Sequence, residues 1–343
     1  MDSPPAGEVR YPRLFSPLEI KGLPLGNRVL MPPMASNMGV TSDQALAYYR
    51  ERARGGVGTV IVEGTRVDLF TAPEFARGLA RLAGALRAEG AASAIQLVQP
   101  PEFDGHAVSV SGKDDRRAAA TEEVARIPAN FARAARVAQE AGFDGVEIHG
   151  AHGFFLNQFF GPARNTRADR YGGSLEARGR VGVESVRAVR AATGLNFLVM
   201  YRHTPVDEEA GYELADSLPF ARALEAAGLD VLDVSPSAAP GGEHAGLAGA
   251  LRRAVGVPII AVGGMGDPAA AEAALRAGRA DLVAIGRGLI ADAHWAVKVR
   301  AGREAEIIEC RECDEKCYGN LRQGIPISCV QNPDSGFEYL SSR

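Results

Sequence analysis

Cysteine is missing from most of this 343-residue sequence. All four cysteines, Cys310, Cys313, Cys317 and Cys329, lie near the C-terminus, and none occurs before them. A disulfide framework is normally spread over a small secreted domain, so this clustering favours a metal centre in a protein of the reducing cytoplasm. The spacing suits either tetrahedral zinc or an iron-sulfur cluster, and three close ligands with one distant ligand favour the cluster.

Long apolar runs and basic stripes are also missing. No apolar segment approaches the roughly 18 residues that a membrane span needs, and the N-terminal residues 1–17 have no apolar core of signal-peptide length. The formal net charge is −4, and lysine is scarce although arginine is abundant. We therefore expect a cytoplasmic protein with neither a membrane nor a nucleic acid as partner.

A glycine-rich dinucleotide motif of the form Gly-x-Gly-x-x-Gly does not follow any predicted strand, which argues against a second nucleotide-binding domain. What the sequence does contain is eight short apolar segments separated by stretches with helical spacing. This alternation predicts a (β/α)8 barrel, with a doubly wound sheet as the alternative. The predicted strands are Val29–Met31, Thr59–Val62, Ala94–Val98, Val146–Ile148, Phe197–Met200, Val231–Val234, Ile259–Val262 and Leu282–Ile285.

Seven helices are predicted between and after these strands. Several of them end at the glycine that is expected after a helix terminus. They are Asp43–Arg54, Glu74–Glu89, Glu122–Ala141, Glu176–Ala192, Ser217–Ala227, Pro268–Ala277 and Asp292–Arg300.

The residues that follow strands seven and eight predict a phosphate site. Gly263, Gly264, Gly286 and Arg287 come directly after these strands. Barrels commonly bind phosphate there, because glycine lets backbone N–H groups approach the anion and arginine adds positive charge. Glycines that only form tight turns are the alternative.

The segment from Phe143 to Arg180 carries the most specific chemistry. A short strand delivers His149 and His152 into a glycine-containing loop. Two imidazoles three residues apart can both donate hydrogen bonds to one carbonyl oxygen, so they are candidate catalytic residues. Two histidines that only satisfy the core are the simpler alternative.

This segment resembles the signature of the Old Yellow Enzyme family of FMN-dependent oxidoreductases, and the resemblance extends over roughly residues 12–335. The matching residues are His149, His152, Gly153, Leu156, Gln158, Phe159, Asn165, Arg167, Asp169, Tyr171, Gly172, Gly173, Ser174, Glu176 and Arg178. The resemblance implies an FMN site and reduction of a carbonyl-activated C=C bond by hydride transfer from flavin N5.

The resemblance also implies which residues hold the flavin. The stretch with Pro33, Met34 and Ala35 begins the site, Gly64 follows strand two, and the Gln96 amide meets the flavin pyrimidine edge. Arg202 is expected near flavin N1 and the C2 carbonyl, where positive charge stabilises the reduced flavin. An ordinary salt bridge at the barrel mouth is the alternative for Arg202.

The cysteine spacing, followed by Gln331-Asn332-Pro333, is similar to the iron-sulfur branch of that family, which includes 2,4-dienoyl-CoA reductase and trimethylamine dehydrogenase. The resemblance implies a [4Fe-4S] cluster on the four cysteines. We therefore predict an FMN-binding barrel over residues 1–305 and a cluster-binding segment over 306–343 that packs on it.

A cluster passes single electrons, so we expect a separate electron-transfer protein such as a ferredoxin or a flavin reductase. NAD(P)H is a candidate electron source for a small-molecule substrate, and a homo-oligomer is left open.

The sequence departs from the family at its proton donor. A tyrosine is usual two residues after the second clamp residue, and this chain has Phe154, which has no proton to give. The candidate replacements are a bound water, Tyr48, Tyr49, Tyr201, His203 and His244, of which His244 is preferred. A flavin dehydrogenase or desaturase that passes electrons outward through the cluster, and a non-catalytic electron-transfer subunit, are the alternative functions.

A second departure follows strand three. The chain reads Gln99-Pro100-Pro101 where the family usually has His-x-Gly-Arg, and the following loop is predicted to be short. The substrate pocket and any nicotinamide site are therefore left open.

Overall fold

The fold is a closed barrel of eight parallel strands surrounded by helices. The structure is a computed structural model, and it describes residues 10–113, 115–236 and 244–341. The barrel strands, numbered β1 to β8 in chain order, are Val29–Met31, Thr59–Arg66, Ala92–Val98, Gly145–Gly150, Leu198–His203, Val231–Val234, Ile259–Val262 and Leu282–Ala284.

Each barrel strand pairs in parallel with the next, and β8 closes the barrel by pairing with β1 through Val283 and Val29. All eight strands fall on the apolar segments that the sequence marks. The prediction of a (β/α)8 barrel is confirmed, and the doubly wound sheet is wrong because that sheet would leave two open edges.

Helices connect the strands on the outer face. In chain order α1 to α12 are Asp43–Arg54, Pro73–Ala88, Thr121–Glu140, Phe155–Phe160, Leu175–Thr193, Leu214–Ala226, His244–Arg252, Pro268–Arg276, Arg287–Ala291, Trp295–Arg300, Asn320–Arg322 and Glu338–Ser341. No helix in the described part of the chain is long and apolar enough to cross a membrane.

All seven predicted helices are present, with shifts of up to three residues at their ends. The predicted helix Asp292–Arg300 is α10, which begins only at Trp295 because Asp292 has an extended backbone and ends α9. Helices α4, α7, α9, α11 and α12 were missed. All five are short, and the six residues of α4 span less than two turns, too few to give a helical period.

The interior of the barrel has two halves with different chemistry. The half nearer the strand N-termini is apolar; it includes Leu30, Ile61 and Met200, and a hairpin formed by Leu18–Ile20 and Leu23–Leu25 packs against it. The half nearer the strand C-termini contains buried polar and charged side chains, which the next subsection describes. The apolar half supplies stability through removal of hydrocarbon from water.

The connection after β3 is longer than the sequence suggested. It extends to the start of α3 at Thr121 and includes the antiparallel pair Glu102–Phe103 and His106–Ala107. The prediction of a short loop is therefore wrong. A cavity of about 310 Å³ lies beside this hairpin, against Gln99, Pro100 and the arginine-bearing face of α3.

The C-terminal segment packs on the barrel through α1 and the loop after β1. The fully buried Arg52 of α1 forms an ion pair with Glu338, and Gln44 Nε2 donates to Gly336 O at 2.7 Å. The backbone N–H of Ile327 donates to Ser36 O at 2.9 Å. These contacts seat residues 306–341 beside the mouth of the barrel, while the division of the chain at residue 305 stays a prediction.

Candidate active site

The two predicted clamp histidines lie side by side at the end of β4. Their ring centroids are 5.5 Å apart. His149 is buried and its Nδ1 has no hydrogen-bond partner, whereas Nε2 of His152 lies 2.9 Å from Ser235 Oγ, in hydrogen-bond contact. A buried ring nitrogen without a partner is a site for a ligand atom or a water.

The loop that carries His152 is conformationally unusual. His152 has φ of 57°, in the left-handed region that non-glycine residues seldom adopt, and Gly153 follows with φ of 72°. The backbone N–H of His152 donates to Thr204 Oγ1 at 3.1 Å, which helps to hold this conformation. Left-handed residues that are held in this way are frequent at functional sites.

Both imidazoles are neutral at neutral pH. Burial, then Arg202 and His152, hold the pKa of His149 well below its usual value. His152 is exposed toward the mouth of the barrel, but desolvation by the barrel wall and the charge of Arg202 lower its pKa as well. A neutral imidazole carries one N–H, so each ring can donate one hydrogen bond without bringing a positive charge.

Arg202 on β5 contacts three other residues of the barrel mouth. Its Nη1 donates to Pro33 O at 3.2 Å, and its Nη2 donates to Ser235 Oγ at 2.9 Å. Its Nε lies 3.4 Å from Asp233 Oδ2 on the neighbouring strand. The guanidinium is therefore buried at the centre of the mouth, where its ion pair with Asp233 is a salt bridge of the kind given as the alternative, and its contact with a flavin stays a prediction.

The glycines that were predicted to contact the flavin lie in two kinds of surroundings: Gly264 faces open space, and the others pack closely against neighbouring protein atoms. Gly263 and Gly264 have φ of 100° and 71°, and a methyl group added to Gly264 would meet no atom within 4 Å. A methyl group on Gly64 would lie 2.9 Å from Gln96 Oε1, and one on Gly286 would lie 3.1 Å from Met34 Sδ. These contacts bring Gly64 next to Gln96 and Gly286 next to Met34, as an FMN site at the mouth requires.

Arg287 has partners that the sequence did not suggest. It is the first residue of α9, after β8, and its guanidinium forms ion pairs with Glu312 at 3.0 Å and with Asp314 at 3.1 Å. Its role at a phosphate stays a prediction. The two ion pairs join the predicted phosphate loop to the cysteine-bearing segment.

The structure separates the candidate proton donors. Tyr48 and Tyr49 are fully buried in α1, while Tyr201 and His203 face the helix layer. Strand alternation explains this placement, because Arg202 points into the barrel and its two neighbours must point outward. These four residues do not line the mouth.

His244 and Phe154 remain at the mouth. The ring of His244 lies against Gly263, on the predicted phosphate side, and its catalytic role stays a prediction. Phe154 is 47% exposed, and its ring centroid lies 4.3 Å from that of His149. The aromatic ring that replaces the family tyrosine therefore lies in tilted contact with His149 of the clamp.

Many of the signature residues after β4 support the loop instead of lining the mouth. Asn165 Nδ2 donates to the carbonyl oxygens of Phe159 and Tyr171, and Arg167 pairs with Asp169. Ser174 accepts a hydrogen bond from Ala177 N and so begins α5. These signature residues therefore stabilise the loop after β4 and are not positioned to contact a substrate.

The four cysteines lie close to the mouth in two stretches. Backbone contact between Ser328 N and Lys316 O, at 3.0 Å, brings the stretch with Cys329 next to the stretch with Cys317. Glu312 N donates to Cys310 Sγ at 3.4 Å. Within residues 10–113, 115–236 and 244–341, no three metal-ligating side chains lie in metal-binding geometry, so a metal centre here stays a proposal.

Sequence reasoning missed four polar residues of the site: Glu147, Asp233, Thr204 and Ser235. A signal was present for the first two. Each is a charged residue between apolar neighbours within a barrel strand, as in Val146-Glu147-Ile148, which places its side chain inside the barrel.

Comparison with known proteins identifies the family. The model of the NADH:flavin oxidoreductase / NADH oxidase family matches residues 13–306. The chain is 35% identical over 376 residues to NADH oxidase of Thermoanaerobacter brockii, covering 97% of this chain and 58% of that protein. It is 30% identical over 390 residues to cinnamate reductase of Clostridium sporogenes, covering 96% and 59%.

Among solved structures, the complex of 2-naphthoyl-CoA reductase with 2-naphthoyl-CoA superimposes with a TM-score of 0.89 at 26% identity, covering 96% of this chain and 58% of that one. The chain thus spans less than two thirds of the length of these relatives. The resemblance stated from the sequence is confirmed: the chain belongs to the NADH:flavin oxidoreductase / NADH oxidase family.

Proposed function

We propose that the protein is an FMN-dependent oxidoreductase that reduces a carbonyl-activated C=C bond of a small molecule. One observation carries this proposal: two neutral imidazoles, His149 and His152, lie side by side at the barrel mouth next to the buried Arg202. The similarity to a cinnamate reductase supports this substrate class, because cinnamate has a C=C bond conjugated to a carboxylate.

The residues at the strand ends fit FMN. His149 Nδ1 is buried without a hydrogen-bond partner in the described part of the chain, and Gly264 faces open space. The residues proposed to hold the cofactor are Pro33, Met34, Ala35, Gly64, Gln96, Arg202, Gly263, Gly264, Gly286 and Arg287. FMN, when bound, supplies a hydride to the substrate.

The histidine pair is proposed to bind and polarise the substrate. Each neutral ring donates one N–H to the substrate carbonyl oxygen, where negative charge develops as hydride reaches the β carbon. Because the pKa of His149 is held well below its usual value, the ring is neutral, and the N–H of a neutral imidazole is too weak an acid to give up its proton. The α carbon then takes its proton from another group, for which His244 or a bound water is proposed.

The cysteines are proposed to hold a [4Fe-4S] cluster through Cys310, Cys313, Cys317 and Cys329. The order and spacing of these thiols support the cluster over zinc. The backbone N–H that donates to Cys310 Sγ is of the kind that tunes cluster potentials. Such a cluster, when present, passes single electrons, and a ferredoxin or flavin reductase is the proposed partner.

The reverse reaction is a second candidate. Hydride would leave a saturated substrate for the flavin, His244 or a bound water would take the α proton that Phe154 cannot accept, and the electrons would leave through the cluster. Stopped-flow mixing of the oxidised protein with saturated substrates, without NAD(P)H, separates the two directions. Flavin bleaching by a saturated substrate would support the dehydrogenase and contradict the main proposal.

The first experiment is one anaerobic spectrum of the purified protein, with released FMN, iron and acid-labile sulfide counted per chain. We expect one FMN and one cluster. Cys317→Ser should lose iron, and Ser328→Ala, which changes a neighbouring hydroxyl, should keep it. Protein that holds neither flavin nor iron after reconstitution would contradict the proposal, and full turnover with NAD(P)H alone would remove the need for a protein partner.

A further inference from the structure

Two carboxyl groups lie close together inside the barrel, in the half nearer the strand C-termini and beneath the proposed flavin site. Glu147 points inward from β4 and Asp233 points inward from β6, and both side chains are fully buried. Each carboxyl group acts on the pKa of the other through a side-chain contact, so the two groups are neighbours inside the barrel. Neither residue is part of the proposed hydride transfer.

If both groups were ionised, three of their four oxygen atoms would have no hydrogen-bond donor within the described chain. Glu147 Oε1 accepts from Gln96 Nε2 at 2.7 Å. Glu147 Oε2 and both oxygens of Asp233 have no donor among the described residues. Two ionised carboxylates that face each other with no donor between them repel strongly in a buried site.

We propose that Glu147 and Asp233 share one proton, which Glu147 carries and donates to Asp233, and that this pair is the counter-charge of Arg202. The proton supplies the missing donor for the contact. The pair then carries one negative charge, and Arg202 Nε lies 3.4 Å from Asp233 Oδ2, so the three groups together are neutral.

The pKa directions agree with this placement of the proton. Burial first, and then the charge of Asp233, raises the pKa of Glu147 well above its usual value. Burial also raises the pKa of Asp233, but Arg202 acts in the opposite direction. The other titratable groups facing this cluster, His149 and His152, are neutral, so Arg202 is the cation that decides which carboxyl stays ionised.

The protonated Glu147 also fixes the orientation of Gln96. Because Glu147 Oε1 accepts from the Gln96 NH₂ group, the amide oxygen must point away from it, toward Gly64. That oxygen is an acceptor directed at the proposed position of the flavin pyrimidine edge. Glu147 is therefore a positioning residue, which acts on the cofactor through Gln96 and Arg202.

The proton itself can be tested without the cofactor. The infrared spectrum of flavin-free wild-type protein at neutral pH should contain the carbonyl stretch of a protonated carboxylic acid. This band should be absent from Glu147→Gln, so it should appear in the difference between the two spectra. Glu63 is a second buried carboxyl with a raised pKa, so Glu63→Gln is the control that assigns its band separately. Wild-type protein without a band that Glu147→Gln removes would overturn the proposal, and this result does not depend on any variant binding FMN.

The effect on the cofactor rests on the proposed FMN site and is measured as the flavin reduction potential. Glu147→Gln keeps the neutral character of the protonated acid, so the potential should stay close to that of the wild type. Asp233→Asn removes the one negative charge and should raise the potential, because Arg202 then stabilises the reduced flavin without a counter-charge. Equal upward shifts in both variants would mean that Glu147 is ionised, and would overturn the shared proton even if FMN binding is confirmed.

Discussion

The two halves of the barrel interior use the same strands for opposite purposes. In the lower half, nearer the strand N-termini, Leu30, Ile61 and Met200 pack apolar side chains against one another. The upper half, nearer the strand C-termini, buries polar side chains as deeply, and several of their polar atoms have no hydrogen-bond partner among the residues that the structure describes. These side chains are Gln96, Glu147, Arg202 and Asp233. The lower half therefore stabilises the fold. The upper half lowers the stability, because its buried polar atoms lack partners, and the same atoms are free to bind a ligand. Substitutions in the two halves should separate these properties.

The largest effect is expected from a charge placed in the lower half. Ile61 is fully buried among apolar residues, so Ile61→Asp should lower the free energy of unfolding by more than about 4 kcal/mol, since the carboxylate would have no partner. Denaturant unfolding measures this change. The matched variant Ile61→Val should cost only about 0.5–1.5 kcal/mol. A folded Ile61→Asp protein of nearly normal stability would show that the two halves do not differ as described.

In the upper half, loss of a polar side chain should affect rate more than stability. His149→Ala should slow reduction of an enoate by about 10²–10³-fold, as expected for a lost hydrogen-bond donor to a developing oxyanion. The free energy of unfolding should change by no more than about 1 kcal/mol, because the variant also removes an unpartnered buried nitrogen. Steady-state kinetics and denaturant unfolding give the two values.

The control for that variant is His152→Asn, which keeps an N–H donor at the mouth and should stay within about tenfold of the wild-type rate. Unchanged kinetics in His149→Ala would contradict the clamp.

A smaller effect is expected from pH, through a histidine outside the barrel wall. Burial lowers the pKa of His203 to about 3, and its ring packs among Phe160, Tyr212 and Phe220. The unfolded chain binds a proton at this residue below about pH 6.5 while the folded chain does not. The contribution of His203 to the free energy of unfolding is therefore fully present above pH 6.5 and is lost progressively as the pH falls toward 3. The loss is about 2 kcal/mol at pH 5.

His203→Gln lacks this titration, so its free energy of unfolding should fall less steeply between pH 6.5 and 5 than that of the wild type. Parallel curves for the two proteins would mean that His203 is not buried as a neutral ring.

The smallest effect is expected where the mouth meets solvent. Phe154 is half-exposed, so Phe154→Tyr should change the free energy of unfolding by less than about 0.5 kcal/mol. If protonation limits alkene reduction, the new hydroxyl should raise the rate about tenfold or more. Rapid-reaction kinetics with a deuterated solvent control would measure it. A slower Phe154→Tyr enzyme would favour the dehydrogenase direction.

Much of the site could be predicted because its residues follow strands. Gly263, Gly264 and Gly286 occur where a barrel binds phosphate, and His149 and His152 stand three residues apart in one loop. The loop after β3 and helix α7 could not be predicted, since neither has a long periodic pattern. The cysteine spacing predicts a cluster, and chemical analysis will decide its metal.

By itself, the sequence determined the eight strands, their order and the ends at which function lies, because local apolar periodicity and glycine positions encode these features. Only the tertiary structure decided which polar residues meet. Glu147 and Asp233 belong to strands far apart in the chain, and closure of the barrel with alternating side chains brings their carboxyl groups together. The same alternation turns Tyr201 and His203 outward, away from the chemistry that their position in the sequence suggested.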